Sequence, residues 1–510
     1  MNREPLTAAE ITAEEWERTP ESVKRLLEYL MGEVKELKER ISVLEAENRY
    51  LGEQVGRNSS NSSQAPSTDG PENKPEKKKQ PTGKKRGGQK GHPGYSRELL
   101  PVEKCQTVKD HIPTECSQCG NKLRGKDPEP YRHQVVELPP IEPYVEEHRL
   151  HQLECRQCGT LTRAKLPDEV SASGYGVRVV AIAAILSGLY RMSERMVQTG
   201  FQDLFGIVMA LGTVNRLRQE ASLAIAKPVE QAAKYVKEQP IINSDETGFT
   251  QGNADGNNPE KRKAWLWVAV TALVTVFRVT LSRGQESAQL LLGTVLTAIL
   301  ITDRWNSYNC FPINQRQICW AHLKRDFTKI SERGGKSGRI GEELLKLQEL
   351  LFSYWHKVRD GTLTREGFCQ QADQIRVQVK SLLEEAVSYK PKKGDKSALA
   401  LTSRTSRELL KLEPAMWLFV RVEGVEPTNN AAEQAIRPVV LWRKNSFGTQ
   451  SLAGSLFVAR IMTVVMTLRS QQRNPLDYMV QACQAYRDGK STPSLLPKAS
   501  LAKVKLHPAA

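Results

Sequence analysis

Long hydrophobic runs are missing from this 510-residue sequence. The longest, Trp265 to Phe277, spans 13 residues and ends at Arg278. It is too short to cross a bilayer and is rich in β-forming residues. The first ten residues, MNREPLTAAE, lack the apolar core of a secretory leader. Acidic charge is in deficit: 58 Asp plus Glu against 74 Lys plus Arg leave a net charge of +16. That balance suits a polyanion, nucleic acid before an anionic membrane surface. A phosphate-binding loop is lacking too. RGGKSG at 333–338 approaches the pattern, but Ile330 stands where its first glycine belongs, so no ATP dependence is expected. These absences lead to the expectation of a cytoplasmic protein with no membrane partner, whose nine cysteines are thiols or metal ligands rather than disulfides.

What is present divides the chain into several units, as its length requires. Residues 1–56 carry a heptad seam. Val23, Leu30, Leu37, Leu44 and Leu51 recur every seven residues, with Leu27, Val34, Ile41, Asn48 and Val55 in the companion register. Asn48 is the polar seam residue that sets register and a dimeric state. Parallel pairing brings Glu33 near Lys38 and Arg40 near Glu45 of a second copy, so a homodimeric coiled coil is expected over an amphipathic helix packed within its own chain. Residues 57–98 are a Ser, Pro, Gly and Lys tract with little to bury, expected to be disordered. Its Lys77, Lys78, Lys79, Lys84, Lys85 and Arg86 suit phosphate contact as well as a solvated linker.

Residues 99–166 hold CSQCG at Cys116 and Cys119 and CRQCG at Cys155 and Cys158. The two-residue gap lets both sulfurs face one ion, and the glycine permits the turn. Four thiolates make a closed, structural zinc site in a ribbon-like module. His111, His133, His148 and His151 read as surface histidines. Residues 167–238 look helical. MSERMVQTGFQDLFG followed by LGTVNRLRQEASLAI fits a helix–turn–helix with Thr213 as N-cap of its second helix, or a plain helical hairpin. In the first reading Asn215, Arg216 and Arg218 reach DNA.

From residue 239 the pattern turns to strands. IINSDETGF, AWLWVAV and VTVFRVTLSR precede a helical stretch, then the apolar start of AILITDRWNSYN runs into Asp303, and RQICWAHLKRDF is another strand running into a basic helix. Asp245 and Asp303 therefore sit at or near the ends of the first and fourth strands, where adjacent strands let them converge. A third acid, Glu433, falls on a short helix beginning near Asn430. The Asn430-x-x-Glu433 spacing is equally that of a capping box, in which Glu433 serves only a backbone N–H.

SDETGF, TDRWNSYN, CWAHLKRDF and NNAAEQAIRPVVLWRKNSFGTQSLAG, in this order, resemble the insertion-sequence-66 family of bacterial DDE transposases. The zipper, basic linker, paired knuckles and the tail NPLDYMVQACQAYRDG fit the same family, so the resemblance covers nearly the whole chain. It implies an α/β ribonuclease-H-like catalytic core in two parts, 239–330 and 426–490, around a helical insertion at 331–425, with a tail at 491–510. It assigns Asp245, Asp303 and Glu433 as a catalytic triad holding two Mg²⁺ (or Mn²⁺) ions. Arg304, Trp305 and Gln434 depart from residues common in the family and touch only the details of substrate contact. Two such ions, about 3.5–4 Å apart, activate water and stabilise the leaving oxygen of an in-line displacement.

The expected function is to bind element ends, cleave phosphodiester bonds and transfer the 3′-OH ends to target DNA. The expected partners are double-stranded terminal inverted repeats and target DNA, a second or further copy of the chain, and small accessory proteins of the same element, at the bacterial nucleoid. A non-catalytic repressor, or a nuclease without strand transfer, are the other readings. Lys324, Arg325, Arg437, Arg443 and Lys444 are candidate phosphate contacts. Cys319 and His322 resemble a Cys-x-x-His string seen after the second Asp of several DDE families, and are read as structural support.

Overall fold

The computed structural model describes residues 13–55, 58, 62–64, 97–167, 170 and 173–498. The basic cluster from Lys77 to Arg86 lies outside the described residues. Two helices open the chain, α1 (Ala13–Arg18) and α2 (Glu21–Val55). Along the heptad seam of α2, Val23, Leu30, Val34, Leu37, Ile41 and Leu44 are exposed among the described residues, and Leu27 is half-buried. One short piece of the tract expected to be a free linker is anchored. Ser62 is buried, and Ser63 donates through its N–H and hydroxyl to the two carboxylate oxygens of Glu332 at 2.8 and 2.7 Å.

The cysteine module forms one hairpin, β1 (Gln152–Glu154) with β2 (Leu161–Arg163). No residue between 99 and 166 is buried, so this unit has no apolar core of its own.

Helices α3 (Val177–Gly188), α4 (Glu194–Phe205), α5 (Leu211–Ala224) and α6 (Ala226–Lys237) follow. Helix α5 begins two residues before the expected Thr213, with Ala210 at its N-cap, because Val214, Leu217 and Ala221 bury one face of it. These helices do not stand apart as a module. Val180, Leu217 and Ala221 belong to the same apolar core as the sheet residues Val276 and Phe277 and the later Ile461 and Met462.

The sheet is built from β3 (Ile241–Phe249), β4 (Ala264–Val270), β5 (Thr275–Thr280), β6 (Ile299–Thr302) and β7 (Arg316–Ile318), with α7 (Gln285–Leu292) between β5 and β6. The strands lie in the order β5-β4-β3-β6-β7. The first three form an antiparallel meander, while β6 and β7 join in parallel. Beyond β7 come α8 (Trp320–Ser331), α9 (Gly335–Arg359), α10 (Arg365–Ser388), α11 (Ala398–Lys411) and α12 (Leu418–Arg421). They carry a second apolar core, in which Trp355 and Leu383 are buried more deeply than the neighbouring Tyr354 and Leu382. The chain returns to the sheet as α13 (Asn430–Ser446), α14 (Leu452–Ser470) and α15 (Pro475–Arg487).

By length and hydropathy α14 could cross a membrane. Here it lines the free edge of β5 and is mostly buried. Thr463 Oγ1 accepts from Phe277 N at 2.9 Å, and Thr467 Oγ1 both accepts from and donates to Thr275 at 3.1 and 3.0 Å. The edge strand's unpaired backbone groups are thereby satisfied. Helix α3 lies so close to α14 that a Cβ on Gly188 would meet Ile461 at 2.5 Å.

Candidate active site

Strand β3 alternates its faces, as any strand does. Asn243, Asp245 and Thr247 share one face, and Ser244 and Glu246 the other. The parallel pairing of β3 with β6 sets Asn243 against Ile301. Asp245 and Asp303 each lie two residues further on and so emerge side by side where β6 stops. Asp303 follows a strand end as expected, whereas Asp245 stands at the centre of β3, because β3 runs on to Phe249 paired with β4. Trp305 N donates to Asp303 Oδ1 at 2.9 Å, which fixes that carboxylate in the turn leaving β6.

Glu433 arrives on α13, a helix of 17 residues rather than a short one. The capping box is not formed. Asn429 holds the N-cap and makes no side-chain cap bond, which puts Glu433 one position too late for that motif. The Asn429 N–H that such a glutamate would bind instead donates to Cys319 Sγ at 3.2 Å.

Asn429 itself is fully buried. Its Nδ2 donates to Ser244 O at 2.8 Å, and its Oδ1 accepts from Asn243 Nδ2 at 3.2 Å. Side-chain amide and backbone N–H of this one residue thus tie the start of α13 to β3 and to the entry of α8, and this tie fixes where Glu433 stands beside the strands that carry the two aspartates. The sequence reading missed Asn429. The doubled asparagine before the helix was its one signal.

The Asp303 charge acts on both of the other acids. Burial, then the charges of Glu246, Asp303 and Glu433, push the Asp245 carboxyl well above the usual aspartate range. Burial raises Glu433 as well, with Asp303 adding to the shift and Arg325 opposing it. Glu246 is a separate matter. It faces the other side of the sheet, where Tyr308 Oη donates to Oε2 at 2.6 Å and Arg283 Nε to Oε1 at 2.9 Å, so it is a buried structural ion pair.

Glu433 Oε1 and His322 Nδ1 lie 3.7 Å apart. Both atoms are buried and neither makes a hydrogen bond among the described residues. The imidazole is neutral near pH 7, because burial, then the Arg325 charge, lower it to about 4. Cys319, His322 and Glu433 are the one group among the described residues whose ligating atoms all fall within 4.8 Å of one another. Burial pushes the Cys319 thiol up to about 11, so it is protonated near neutrality and acts as a hydrogen-bond acceptor for Asn429. Its sulfur thereby braces the start of α13.

Raised carboxyls at Asp245 and Glu433 and an unpartnered glutamate oxygen suit a divalent cation, and carboxylate oxygens are the hard donors that Mg²⁺ or Mn²⁺ prefers. The oxygens of Asp245, Asp303 and Glu433 are not gathered within 4.8 Å of one another in the metal-free chain.

The other predicted residues divide by environment. Arg325 is close enough to act on Glu433, and Lys324, Arg437 and Lys444 are exposed. Arg443 is committed to the fold, donating to Thr247 Oγ1 at 3.1 Å and to Gly248 O. Asn215 and Arg216 are exposed on α5. Arg218 pairs with Glu194 and sits 4.5 Å over the Phe457 ring, so it is a packing residue rather than a DNA contact.

In the cysteine module each knuckle has its expected turn. Gly120 N donates to Cys116 O at 2.9 Å and Gly159 N to Cys155 O at 2.8 Å, with both glycines at positive φ. Backbone and neighbouring side-chain hydrogen bonds at Cys116, and those to Thr160 at Cys158, lower these two thiols, which favours the thiolate that zinc requires. The two pairs are not gathered onto one point in the metal-free chain.

A five-stranded mixed sheet that presents two aspartates in register, with a glutamate returning on a helix, marks a DDE-type transposase. Comparison with known families agrees. The family described as "Transposase IS66 family" matches residues 181–456, more than half of the chain, and the protein belongs to that family. The "zinc-finger binding domain of transposase IS66" matches residues 113–159, and a family of unknown function matches residues 8–98. The chain is also 21% identical over 422 residues, 78% of its length and 74% of the relative's, to "Uncharacterized protein y4qI" of Sinorhizobium fredii (strain NBRC 101917 / NGR234).

Proposed function

We propose that this transposase has a ribonuclease-H-like core, binds the terminal inverted repeats of its element, cleaves phosphodiester bonds there and joins the freed 3′-OH ends to target DNA. The carrying observation is the register of β3 and β6, which sets Asp245 beside Asp303, with Glu433 delivered by the Asn429 tie. The sheet order supports the ribonuclease-H-like assignment.

Asp245, Asp303 and Glu433 would hold two divalent ions, which when bound activate the attacking oxygen and stabilise the leaving one. His322 and Asn429 orient Glu433. Lys324, Arg325, Arg437 and Lys444 offer phosphate contacts around the site, and the basic tract adds non-specific affinity. The protein works in the bacterial cytoplasm at the nucleoid, with accessory proteins of the element as further partners. The deciding experiment incubates the protein with DNA from the ends of its element and Mg²⁺. Asp303→Asn should abolish cleavage while retaining end binding. Nicking without joined product would leave a nuclease alone, and equal cleavage by the variant would refute the site.

The bare seam of α2 supports a homodimer. A stripe this exposed and this regular calls for a partner helix. Leu37→Asp should convert a dimer to monomers by analytical ultracentrifugation. An unchanged sedimentation mass would remove the zipper from the assembly.

A further inference from the structure

A cavity of about 510 Å³ opens beside Asp303, within the range of about 300–1,000 Å³ usual for small-ligand pockets. Arg304, Trp305, Asn309, Phe311, Arg316 and Lys411 form its walls, with Glu408 as its acid. Arg316, the first residue of β7, is 2% exposed. Its Nη1 donates to Asn309 Oδ1 at 2.9 Å, and its Nε and Nη2 meet no acceptor among the described residues. A buried guanidinium stays charged and normally faces an anion. Of the nearby carboxylates, Asp326 is taken by Arg304 at 2.5 and 2.9 Å and Glu408 by Lys411 at 2.8 Å, while the Asp303 charge acts on Arg316 without a hydrogen bond to it.

The same cavity has flat walls. Trp305 and Phe311 line it, and the Arg283 guanidinium, 3.6 Å from the Trp305 ring centroid, fixes that ring's plane. Unpaired guanidinium donors on Arg316, with the Lys411 ammonium held nearby by Glu408, beside aromatic rings are the chemistry that holds single-stranded nucleotides. The pocket is also coupled to the candidate active site, because Trp305 N binds the Asp303 carboxylate.

We propose that this pocket takes one unpaired nucleotide of the DNA strand next to the scissile phosphate, with its phosphate on Arg316 and Lys411 and its base against Trp305 and Phe311. The assignment rests on the DNA-cleaving reading above. Extruding a base from duplex costs a few kcal/mol, so the pocket would favour frayed or nicked ends.

The test uses the full chain in two measurements. In EDTA, thymidine 3′,5′-bisphosphate is titrated by calorimetry. Wild type should bind, and Trp305→Ala and Lys411→Glu should each weaken binding at least tenfold. Arg316→Gln should abolish it, with thermal melting as the check that the variant folds. Binding indifferent to Trp305→Ala would overturn the nucleotide assignment. In the second measurement, 2-aminopurine replaces successive bases at the element end bound to Asp303→Asn protein. Fluorescence should rise several-fold at one position and lose that rise when Trp305→Ala is added. No rise at any position would also overturn it. Failure of the two readings is separable. If wild type cleaves while both measurements are negative, the pocket assignment fails alone. If the bisphosphate binds as described and no DNA is cleaved, the pocket stands and the cleavage reading fails.

Discussion

Asp245→Asn should cut DNA cleavage by roughly 10³-fold or more, since a metal ion lost from the reacting centre removes several kcal/mol of charge stabilisation. The same change should make the metal-free protein more stable. The Asp245 carboxyl is raised in the folded chain by burial and by Glu246, Asp303 and Glu433, so its neutral form is the one the fold prefers. A carboxyl raised on folding contributes stability that is complete at low pH and lost as pH climbs through the raised value. The melting temperature of metal-free wild type should therefore fall from about pH 4, the ordinary aspartate range, toward neutrality. Asp245→Asn should flatten that slope and melt several degrees higher at pH 7.5. Mg²⁺ should raise the wild-type melting temperature and move the variant little. Differential scanning fluorimetry across pH, with and without Mg²⁺, reads all of this. A variant that melts lower than wild type at pH 7.5, or a Mg²⁺ shift of equal size in both, would show that Asp245 is not the strained ligand described here.

Removing zinc should unfold the cysteine module while sparing the sheet. No residue from 99 to 166 is buried, and the short hairpin of β1 and β2 cannot hold such a unit by itself. A structural zinc site contributes on the order of 10 kcal/mol, far more than any other interaction in this module. Cys155→Ser, or a strong chelator, should lose one zinc per chain by metal analysis. Amides from about 105 to 165 should then exchange at the rate of an unfolded chain, and those of β3 and β4 should remain protected. Retained protection in the module after metal loss would mean that something other than zinc folds it. Specific binding to element ends should fall with the metal if the module reads DNA.

Much of the candidate site was legible because its parts are local. A run of apolar β-formers that stops at an acid reads as a strand end, which holds at Asp303 but not at Asp245, where pairing with β4 carries the strand on to Phe249. Two Cys-x-x-Cys-Gly strings read as knuckles because the turn needs only five residues. The seam of α2 reads from its period. The reading faltered where two local patterns coincided. Asn430-x-x-Glu433 fits a cap and a ligand equally, and only the donation of the Asn429 N–H to Cys319 decided between them. Basic residues were the other weak point. Arg218 and Arg443 look like Arg216 and Arg437 in sequence, yet the first pair is spent on Glu194 and on β3, because their positions face the packed side of their helices.

From the sequence alone came the strand and helix order, the acid at the end of β6, the knuckles and the seam, since each is a periodicity or a spacing within a few residues. Tertiary structure alone decided that Asp245 stands mid-strand beside the end of β6, that Glu246 faces the other side of the sheet, that α3–α6 share the sheet's core, and that Asn429 ties α13 to β3. Those outcomes depend on contacts between distant segments, such as the Asn429 amide and Ser244, 185 residues apart. A spacing of that size leaves no trace in any local pattern, because a side chain's partner is chosen by the packing of the whole sheet.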